Sequence, residues 1–456
     1  MSPQDAPSPL NARPLDGIRV IELTSERCAL AGKLLADMGA DVIVVEPPGG
    51  SPMRAYEPFA ADLPDPEGAL WWWHYNTSKR SVVADLDTAE GAEDLRRLIS
   101  TADVVIEAEP LGRLDALELD WPQLGAARPA EASAEGEAVA HTGPRTAADA
   151  MSPSDGRTAP NASSPDGPAA SGRNERLIWV SITHNGRERP DPPATDLTVL
   201  AEGGPVWSCG YDDHTVPPVR GGGNQGLQMA CHYAAATLMA ALWWREDSGR
   251  GQLIDVSMLA AANLTCEFAT YFWLNQQVDV QRQTGRHALP QISDPTQVRC
   301  ADGRWLNTGV PPRRGPEFAA LAGWVAELGL MSECPYTELL KLGESYEQID
   351  ILHLDADPLG AEVFGAGRDT VNFLAERLGA HELFVGLQSI GLACGIVYSP
   401  EEMPADQHFE ARGFPVEIDH DGTPVTYPGA PYKFSATPWH ATRAPRLGEH
   451  QDLLAD

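Results

Sequence analysis

Residues 18–46 read IRVIELTSERCALAGKLLADMGADVIVVE, and this stretch decides the fold class. Its two ends, 18–23 and 42–46, are short apolar runs rich in β-branched residues, which predict strands. The segment between them, 29–38, has the composition of a helix and ends at Gly39. Because a helical crossover joins strands that run in the same direction, the stretch predicts the first unit of a parallel sheet.

The same alternation of strands and helices continues beyond this stretch. Residues 81–86, 103–107 and 177–182 predict further strands, and Thr88 predicts the N-cap of a helix that ends near residue 102. Such alternation indicates an α/β fold with a doubly wound parallel sheet. The first strand-to-helix turn lacks G-x-G-x-x-G, which disfavours a dinucleotide cofactor held in the usual way.

The second half of the chain predicts helices together with short strands. The sequence predicts a hairpin turn at Asp302-Gly303 and a short strand at 395–398. Its predicted helices lie at about 225–246, 256–274, 315–330 and 370–390.

Two segments have the composition of poorly ordered chain. Residues 1–14 are rich in Pro and Ser without the apolar core of a signal peptide, which predicts a flexible tail. Residues 126–174 contain mainly Ala, Pro, Ser, Gly and acidic residues, which predicts a disordered or loosely ordered insert. We expect deletion of about residues 130–170 to leave folding and activity nearly intact.

Charge and cysteine content exclude several functional classes. The 456 residues carry a formal net charge of -32, which argues against nucleic acid or an anionic membrane as partner. The seven cysteines form no C-x-x-C pair, so neither a disulfide framework nor a zinc site is indicated, and a cytoplasmic protein is expected. The most apolar helical run, 227–244, is rich in Ala and contains Gln228 and His232, which favours a buried helix over a membrane span.

Asp196 lies in a candidate ligand-binding region. It begins an apolar run within residues 192–204, beyond the strand predicted at 177–182, where a carboxylate can face a cleft. Asp is also a common helix N-cap, and from local sequence alone that use is the more frequent one. Asp196 is therefore either a cap or a catalytic carboxylate.

Cations on two loops form a candidate anion-binding face. Lys79 and Arg80 follow Asn76 at the start of a predicted strand, and Arg54 follows a Pro/Gly turn at the end of another. Cations beside small polar donors suit a phosphate group, although a solvated charge pair has the same sequence pattern. In an acidic chain these residues are the candidates for holding an anionic ligand.

The chain resembles the class III CoA-transferases, the formyl-CoA/carnitine-CoA transferase type, which also include the α-methylacyl-CoA racemases. The resemblance extends from residue 15 to about residue 454 and is interrupted by the predicted insert. Its matching pieces, in chain order, are LDGIRV (15–20), LLADMGADV (34–42), VEPPGG (45–50), Asn76 with KRSV (79–82), GRGQ (249–252), ARGF (411–414), PGAP (428–431) and APRLGEH (444–450).

The resemblance implies a fold and an assembly. It implies a Rossmann-like large domain with a parallel sheet, a smaller α+β domain, and a homodimer of two interlocked chains. The domains that it implies are a large CoA-binding domain at 15–225, a linker helix at 226–255, a small domain at 256–395, and a C-terminal segment at 396–456 that returns to the large domain.

The resemblance also implies the chemistry. Asp196 falls on the catalytic aspartate of the transferases, and Arg54, Asn76, Lys79 and Arg80 fall on CoA-binding positions. The implied enzyme is an acyl-CoA:carboxylate CoA-transferase that acts through an aspartyl-CoA thioester and needs no metal or redox cofactor, with the CoA thioester as substrate. Two alternatives stay open: an intramolecular CoA-transferring isomerase of the same family, and a catalytically silent CoA-binding or scaffold protein.

Overall fold

The computed structural model describes residues 13–61, 64–125, 174–189, 192–351 and 353–455. Apart from residues 13, 14 and 174, the predicted tail at 1–14 and the predicted insert at 126–174 lie outside the described residues.

The strands of the described residues alternate with helices along the first half of the chain. The strands are β1 Arg19–Leu23, β2 Asp41–Glu46, β3 Arg80–Val83, β4 Val104–Glu107, β5 Ile178–Thr183, β6 Leu253–Ser257, β7 Gln281–Gln283, β8 Arg286–Leu289, β9 Gln297–Arg299, β10 Trp305–Thr308, β11 Cys394–Ile396, β12 Pro415–His420 and β13 Thr423–Pro428. The helices are α1 Ala29–Asp37, α2 Leu70–Tyr75, α3 Ala89–Ser100, α4 Arg113–Ala116, α5 Trp121–Leu124, α6 Asp196–Gly203, α7 Gln225–Ser248, α8 Met258–Asn263, α9 Glu267–Gln276, α10 Gly315–Glu327, α11 Thr337–Gly343, α12 Pro358–Ala375, α13 Ala380–Ser389 and α14 Gln407–Arg412.

Six strands form one parallel sheet in the order β3-β2-β1-β4-β5-β6. The central strand β1 pairs with β2 and β4, so that Ile21 lies opposite both Ile43 and Val105. These three side chains are fully buried, as expected for a parallel sheet that is covered on both faces. The mixed α/β fold predicted from the sequence is confirmed.

One strand of this sheet differs from the prediction. Residues 253–257 form β6, which pairs with β5 so that Trp179 lies opposite Leu253 and Thr183 lies opposite Ser257. The single helix predicted at 256–274 is wrong, because Val256 belongs to β6 and the helical part is divided into α8, a 3-10 turn and α9. Strand β6 is difficult to predict from sequence because it has only five residues and lies at the edge of the sheet.

The chain divides into two compact units. Unit 1 contains the described residues of 1–193, 227–258 and 434–456, and unit 2 those of 194–226 and 259–433. The boundaries implied by the resemblance are different from these units, since they assign 194–225 to the large domain and 396–433 to the returning segment. Residues 396–433 include the antiparallel hairpin of β12 and β13, which belongs to unit 2 and which the sequence did not predict.

Helix α7 is part of unit 1 over most of its length. Cys231 Sγ donates to the carbonyl oxygen of Arg27 at 3.1 Å, and Arg245 forms an ion pair with Asp103 at 3.0 Å. The helix predicted as a linker at 226–255 therefore packs within this unit. Among the described residues, no helix combines the length and the apolar character needed to cross a membrane.

Unit 2 has its own core. Helices α10 to α13 pack with the three-stranded antiparallel sheet β11-β10-β9 around fully buried Phe318, Leu321 and Leu374. The turn predicted at Asp302-Gly303 connects β9 and β10, and Gly303 has a φ of +86°, which glycine adopts without strain. The hairpin prediction is confirmed.

Candidate functional site

Helix α6 begins at Asp196, but Asp196 is not its N-cap. The cap is Thr195, whose hydroxyl accepts from the backbone N–H of Thr198 at 3.4 Å, while the Thr198 hydroxyl accepts from the N–H of Thr195 at 2.9 Å. This reciprocal pair satisfies the start of the helix. The alternative in which Asp196 caps its own helix is therefore wrong, and its carboxylate is left for other contacts.

Arg220 and Gly226, from the segment that leads into α7, donate to the Asp196 carboxylate. Oδ1 accepts from the backbone N–H of Gly226 at 2.8 Å, and Oδ2 accepts from Nη1 of Arg220 at 3.0 Å. Gly226 is in the first turn of α7, where backbone N–H groups have no acceptor within the helix. The carboxylate, which is 8% exposed, thus lies against a helix N-terminus that favours negative charge.

Gly226 is required by the close approach of its backbone to this carboxylate. A Cβ at position 226 would lie 3.2 Å from Oδ1 of Asp196 and 2.9 Å from Cγ1 of Val199. Both separations are shorter than ordinary van der Waals contact, so a larger residue would push the carboxylate away from the N–H. The sequence analysis did not identify Gly226, although the glycine-rich run RGGGNQG at 220–226 was a signal for a close backbone approach.

Arg220 is the second residue that the sequence analysis missed. Its Nη1 donates to the carbonyl oxygen of Gly223 at 2.6 Å as well as to Asp196, and its side chain is 37% exposed. The bond to Gly223 holds the guanidinium within its own loop. Arg220 therefore pairs with the buried carboxylate while it keeps access to solvent.

Arg54, a predicted CoA-binding residue, lies inside unit 1. Its Nε and Nη2 donate to the two carboxylate oxygens of Glu46 at 2.7 and 2.9 Å, and its guanidinium lies 3.8 Å from the ring centre of Trp72. Nη2 also donates to the carbonyl oxygen of Pro445 at 3.2 Å. The Arg54 side chain is 1% exposed, so it makes buried structural contacts and does not present its charge to solvent.

Lys79 and Asn76 are brought together, also in the interior of unit 1. The Lys79 ammonium group contacts the Glu22 carboxylate at 2.7 Å and donates to Oδ1 of Asn76 at 3.0 Å and to the carbonyl oxygen of Ala29 at 2.9 Å. Burial raises the pKa of the Glu22 carboxyl, and the charge of Lys79 opposes this effect. A Cβ at Gly32 would lie 1.6 Å from Oε2 of Glu22, so helix α1 closes over the pair.

Arg80 is the predicted cation that reaches solvent. It forms an ion pair with Asp41, and its side chain is 30% exposed. The open cluster of three cations expected from the sequence is therefore not formed, because buried carboxylates neutralise Arg54 and Lys79 and only Arg80 among the three is partly exposed. Binding of CoA by these residues and by Asn76 stays a prediction.

A buried acid lies at or near the carboxyl end of three neighbouring strands. Glu22, Glu46 and Glu107 are each at most 2% exposed, in β1, β2 and β4. Glu107 forms an ion pair with Arg187 at 3.2 Å, and burial raises the pKa of the Glu107 carboxyl. Glu22 and Glu46 form the ion pairs with Lys79 and Arg54 described above. The repeated Glu near strand ends was the sequence signal for these pairs.

Comparisons with known proteins agree with this architecture. Residues 15–152 and 166–451 match the family described as CoA-transferase family III. The chain is 29% identical to the succinyl-CoA:(R)-benzylsuccinate CoA-transferase subunit BbsE of Thauera aromatica, covering 96% of this chain and 93% of that protein. It is 27% identical to the succinyl-CoA–D-citramalate CoA-transferase of Chloroflexus aurantiacus, covering 97% and 94%.

A solved structure has the same fold. The crystal structure of a CaiB/BaiF family protein from Brucella suis superposes with a TM-score of 0.70 at 24% identity, over 97% of this chain and 98% of that chain. The family predicted from the sequence motifs is confirmed by the match over most of the chain. This chain belongs to CoA-transferase family III and is a CoA-transferring enzyme.

Proposed function

We propose that this enzyme transfers CoA from an acyl-CoA donor to a carboxylic acid acceptor, with Asp196 as the nucleophile. The observation that supports this role is the placement of the Asp196 carboxylate, which is almost buried yet bound by a backbone N–H and an arginine. A carboxylate can form covalent acyl intermediates that divide one difficult exchange into easier steps.

The proposed reaction has two halves. In the first, an Asp196 oxygen attacks the thioester carbonyl, which forms a mixed anhydride and releases CoA thiolate. The thiolate then attacks the aspartyl carbonyl, so that an aspartyl-CoA thioester forms and the donor acid leaves as a carboxylate. In the second half the acceptor carboxylate attacks this thioester, and the same two steps in reverse give the new acyl-CoA and restore Asp196.

The described contacts of Asp196 suit these steps. Arg220 donates to Oδ2 of Asp196 and leaves the geometry of the nucleophilic carboxylate fixed from that side. The N–H of Gly226 stabilises negative charge on Oδ1, and the same donor can stabilise the oxyanion that forms when the aspartyl carbonyl is attacked. The two donors therefore act on opposite oxygens of one carboxyl group.

Succinyl-CoA is the first donor to test. Both relatives named above carry succinyl-CoA in their names. We propose that this chain takes the same donor, and that Arg80 contributes to the binding of CoA with Arg54, Lys79 and Asn76 as supporting residues.

The direct test is a screen of acyl-CoA donors, beginning with succinyl-CoA, against 13C-labelled carboxylic acids, with the products read by mass spectrometry. Transfer of the label into acyl-CoA is expected, together with a hydroxamate at Asp196 when donor and hydroxylamine are added. A reaction that needs no external acid would favour the isomerase, and tight CoA binding without label exchange would favour the silent binding protein.

We also propose that the enzyme acts in the cytoplasm as a homodimer. Helix α9 in unit 2 exposes a set of large apolar side chains, Phe268, Tyr271, Trp273 and Leu274. Monomeric proteins rarely expose such a group together, so an interface with a second copy accounts for them. Sedimentation of the purified chain at the mass of a monomer would contradict the dimer.

A further inference from the structure

Arg220 offers more hydrogen-bonding groups than Asp196 uses. Among the described residues, its guanidinium contacts Asp196 and the Gly223 carbonyl, and both contacts are made by Nη1. The guanidinium also carries N–H groups on Nε and Nη2, in the planar arrangement that binds carboxylates. Because the side chain is 37% exposed, a second carboxylate can approach it from solvent.

The loop beside Arg220 is open. A Cβ at Gly222 or Gly223 would meet no atom within 4 Å, and Gly222 has no left-handed backbone conformation to require glycine. Packing therefore does not explain glycine at position 222. Gly221 differs, because a Cβ there would lie 2.7 Å from the Gln225 carboxamide. The open side of the loop is next to the exposed arginine.

The proposed reaction changes the charge opposite Arg220. Asp196 is an anion before the reaction, but it is neutral as an anhydride or thioester, since its carbonyl carbon is then bonded to an acyl oxygen or to sulfur. Arg220 loses its counter-ion at this stage. The donor acid leaves as a carboxylate and carries the negative charge that Asp196 has lost. Its carboxylate can therefore form an ion pair with Arg220 while Asp196 is neutral.

We propose that Arg220 is the binding residue for the free carboxylic acid, and that it exchanges the Asp196 carboxylate for that of the acid during each half-reaction. The inference rests on the proposed function and adds to it the site of the acid. One oxygen of the acceptor binds Arg220 while the other attacks the aspartyl carbonyl; a C–O bond forms, the C–S bond breaks and CoA thiolate leaves. The thiolate then attacks the acyl carbonyl of the anhydride, and its C–O bond to Asp196 breaks to restore the ion pair.

The test compares the wild type with Arg220→Gln and Arg220→Lys. The assay measures the incorporation of 13C-succinate into succinyl-CoA. If another acyl-CoA and its acid react faster in the screen, the assay uses that acyl-CoA with the 13C-labelled form of its acid. We expect Arg220→Gln to raise KM for the acid at least about tenfold, as for loss of a charge-assisted hydrogen bond, while KM for acyl-CoA stays unchanged. Arg220→Lys should recover part of the effect.

Arg299→Gln is the matched control, because Arg299 is an exposed arginine of unit 2 on strand β9 and its loss changes the net charge equally. Its KM values should equal those of the wild type. If the wild type is active and Arg220→Gln has the same KM for the acid, the role of Arg220 in binding the acid is overturned while the proposed function stands. Equal increases in the KM for the acid and the KM for acyl-CoA in Arg220→Gln would also overturn the role of Arg220. A wild type that exchanges no label with any donor would instead overturn the proposed function and this inference with it.

Discussion

The backbone N–H of Gly226 donates to Oδ1 of Asp196 at 2.8 Å, across a gap that admits no side chain at position 226. The same contact gives Asp196 two roles. It satisfies a free N–H at the start of α7, and it holds one carboxylate oxygen in place while Arg220 holds the other. A variant that separates these roles tests the nucleophile.

Asp196→Asn is such a variant. The amide oxygen can still accept from Gly226, but an amide is a poor nucleophile, so we expect label exchange to fall by at least about a thousandfold. Folding should persist, because the amide keeps the hydrogen bond from Gly226 and the Arg220 side chain, 37% exposed, can be solvated. Glu202→Gln, which removes an exposed carboxylate from the same helix, is the control and should exchange normally. Near-normal exchange by Asp196→Asn would exclude Asp196 as the nucleophile.

Gly226→Ala tests the close approach. Its methyl group would collide with Val199 and Asp196, and overpacking of this kind costs about 1–3 kcal/mol of unfolding free energy. We expect urea denaturation to show that loss and label exchange to fall, because the carboxylate is displaced. Gly323→Ala on α10, where a Cβ meets no atom within 4 Å, should instead stabilise by about 0.4–1 kcal/mol. Equal stabilities of the two variants would refute this explanation of Gly226.

Lys79→Met tests the buried ion pair of unit 1. The substitution leaves the Glu22 carboxylate buried without its cation, which typically costs about 3–5 kcal/mol of unfolding free energy. The double variant Lys79→Met/Glu22→Gln removes both charges and should recover most of the loss. A double variant no more stable than Lys79→Met in urea denaturation would show that the cost does not come from the stranded charge.

Arg80→Ala separates CoA binding from stability. Its ion pair with Asp41 is partly exposed, so we expect the unfolding free energy to change by less than about 1 kcal/mol. Loss of a contact to a CoA phosphate should weaken CoA binding by about 1.5–3 kcal/mol in calorimetry. If Arg80→Ala binds CoA as tightly as the wild type, the phosphate contact belongs to another residue.

Glu449 makes a predictable contribution to the pH dependence of stability. Hydrogen bonds from Arg443, at 2.6 and 2.9 Å, hold the pKa of its carboxyl at about 2, below the ordinary 4.5. Since the folded chain binds this proton more weakly than the unfolded chain, the stabilisation is complete above pH 4.5 and is lost as the pH falls towards 2. Glu449→Gln should make unfolding free energy less dependent on pH in this interval. Glu417→Gln, which removes an exposed carboxylate from β12, is the control.

Much of the parallel sheet could be predicted because most of its strands contain a continuous run of β-branched apolar residues. The predicted strands at 18–23, 42–46 and 103–107 match β1, β2 and β4 to within one residue at each end. Thr88 caps α3 as predicted, since its hydroxyl accepts from the N–H of Gly91. Strand β6 was missed because it lies at the edge of the sheet, with Asp255 exposed and only Val256 buried, so it lacks the continuous apolar pattern of the other strands.

The sequence by itself determined the α/β class, the family and the candidate aspartate, because each depends on patterns that lie close together along the chain. Only the tertiary structure decided what each charge contacts. It brings Gly226 and Arg220 to Asp196 from 30 and 24 residues away, and it turns Lys79 towards Glu22. Ion pairs and hydrogen bonds depend on distances of about 3 Å between atoms, which sequence separation does not specify.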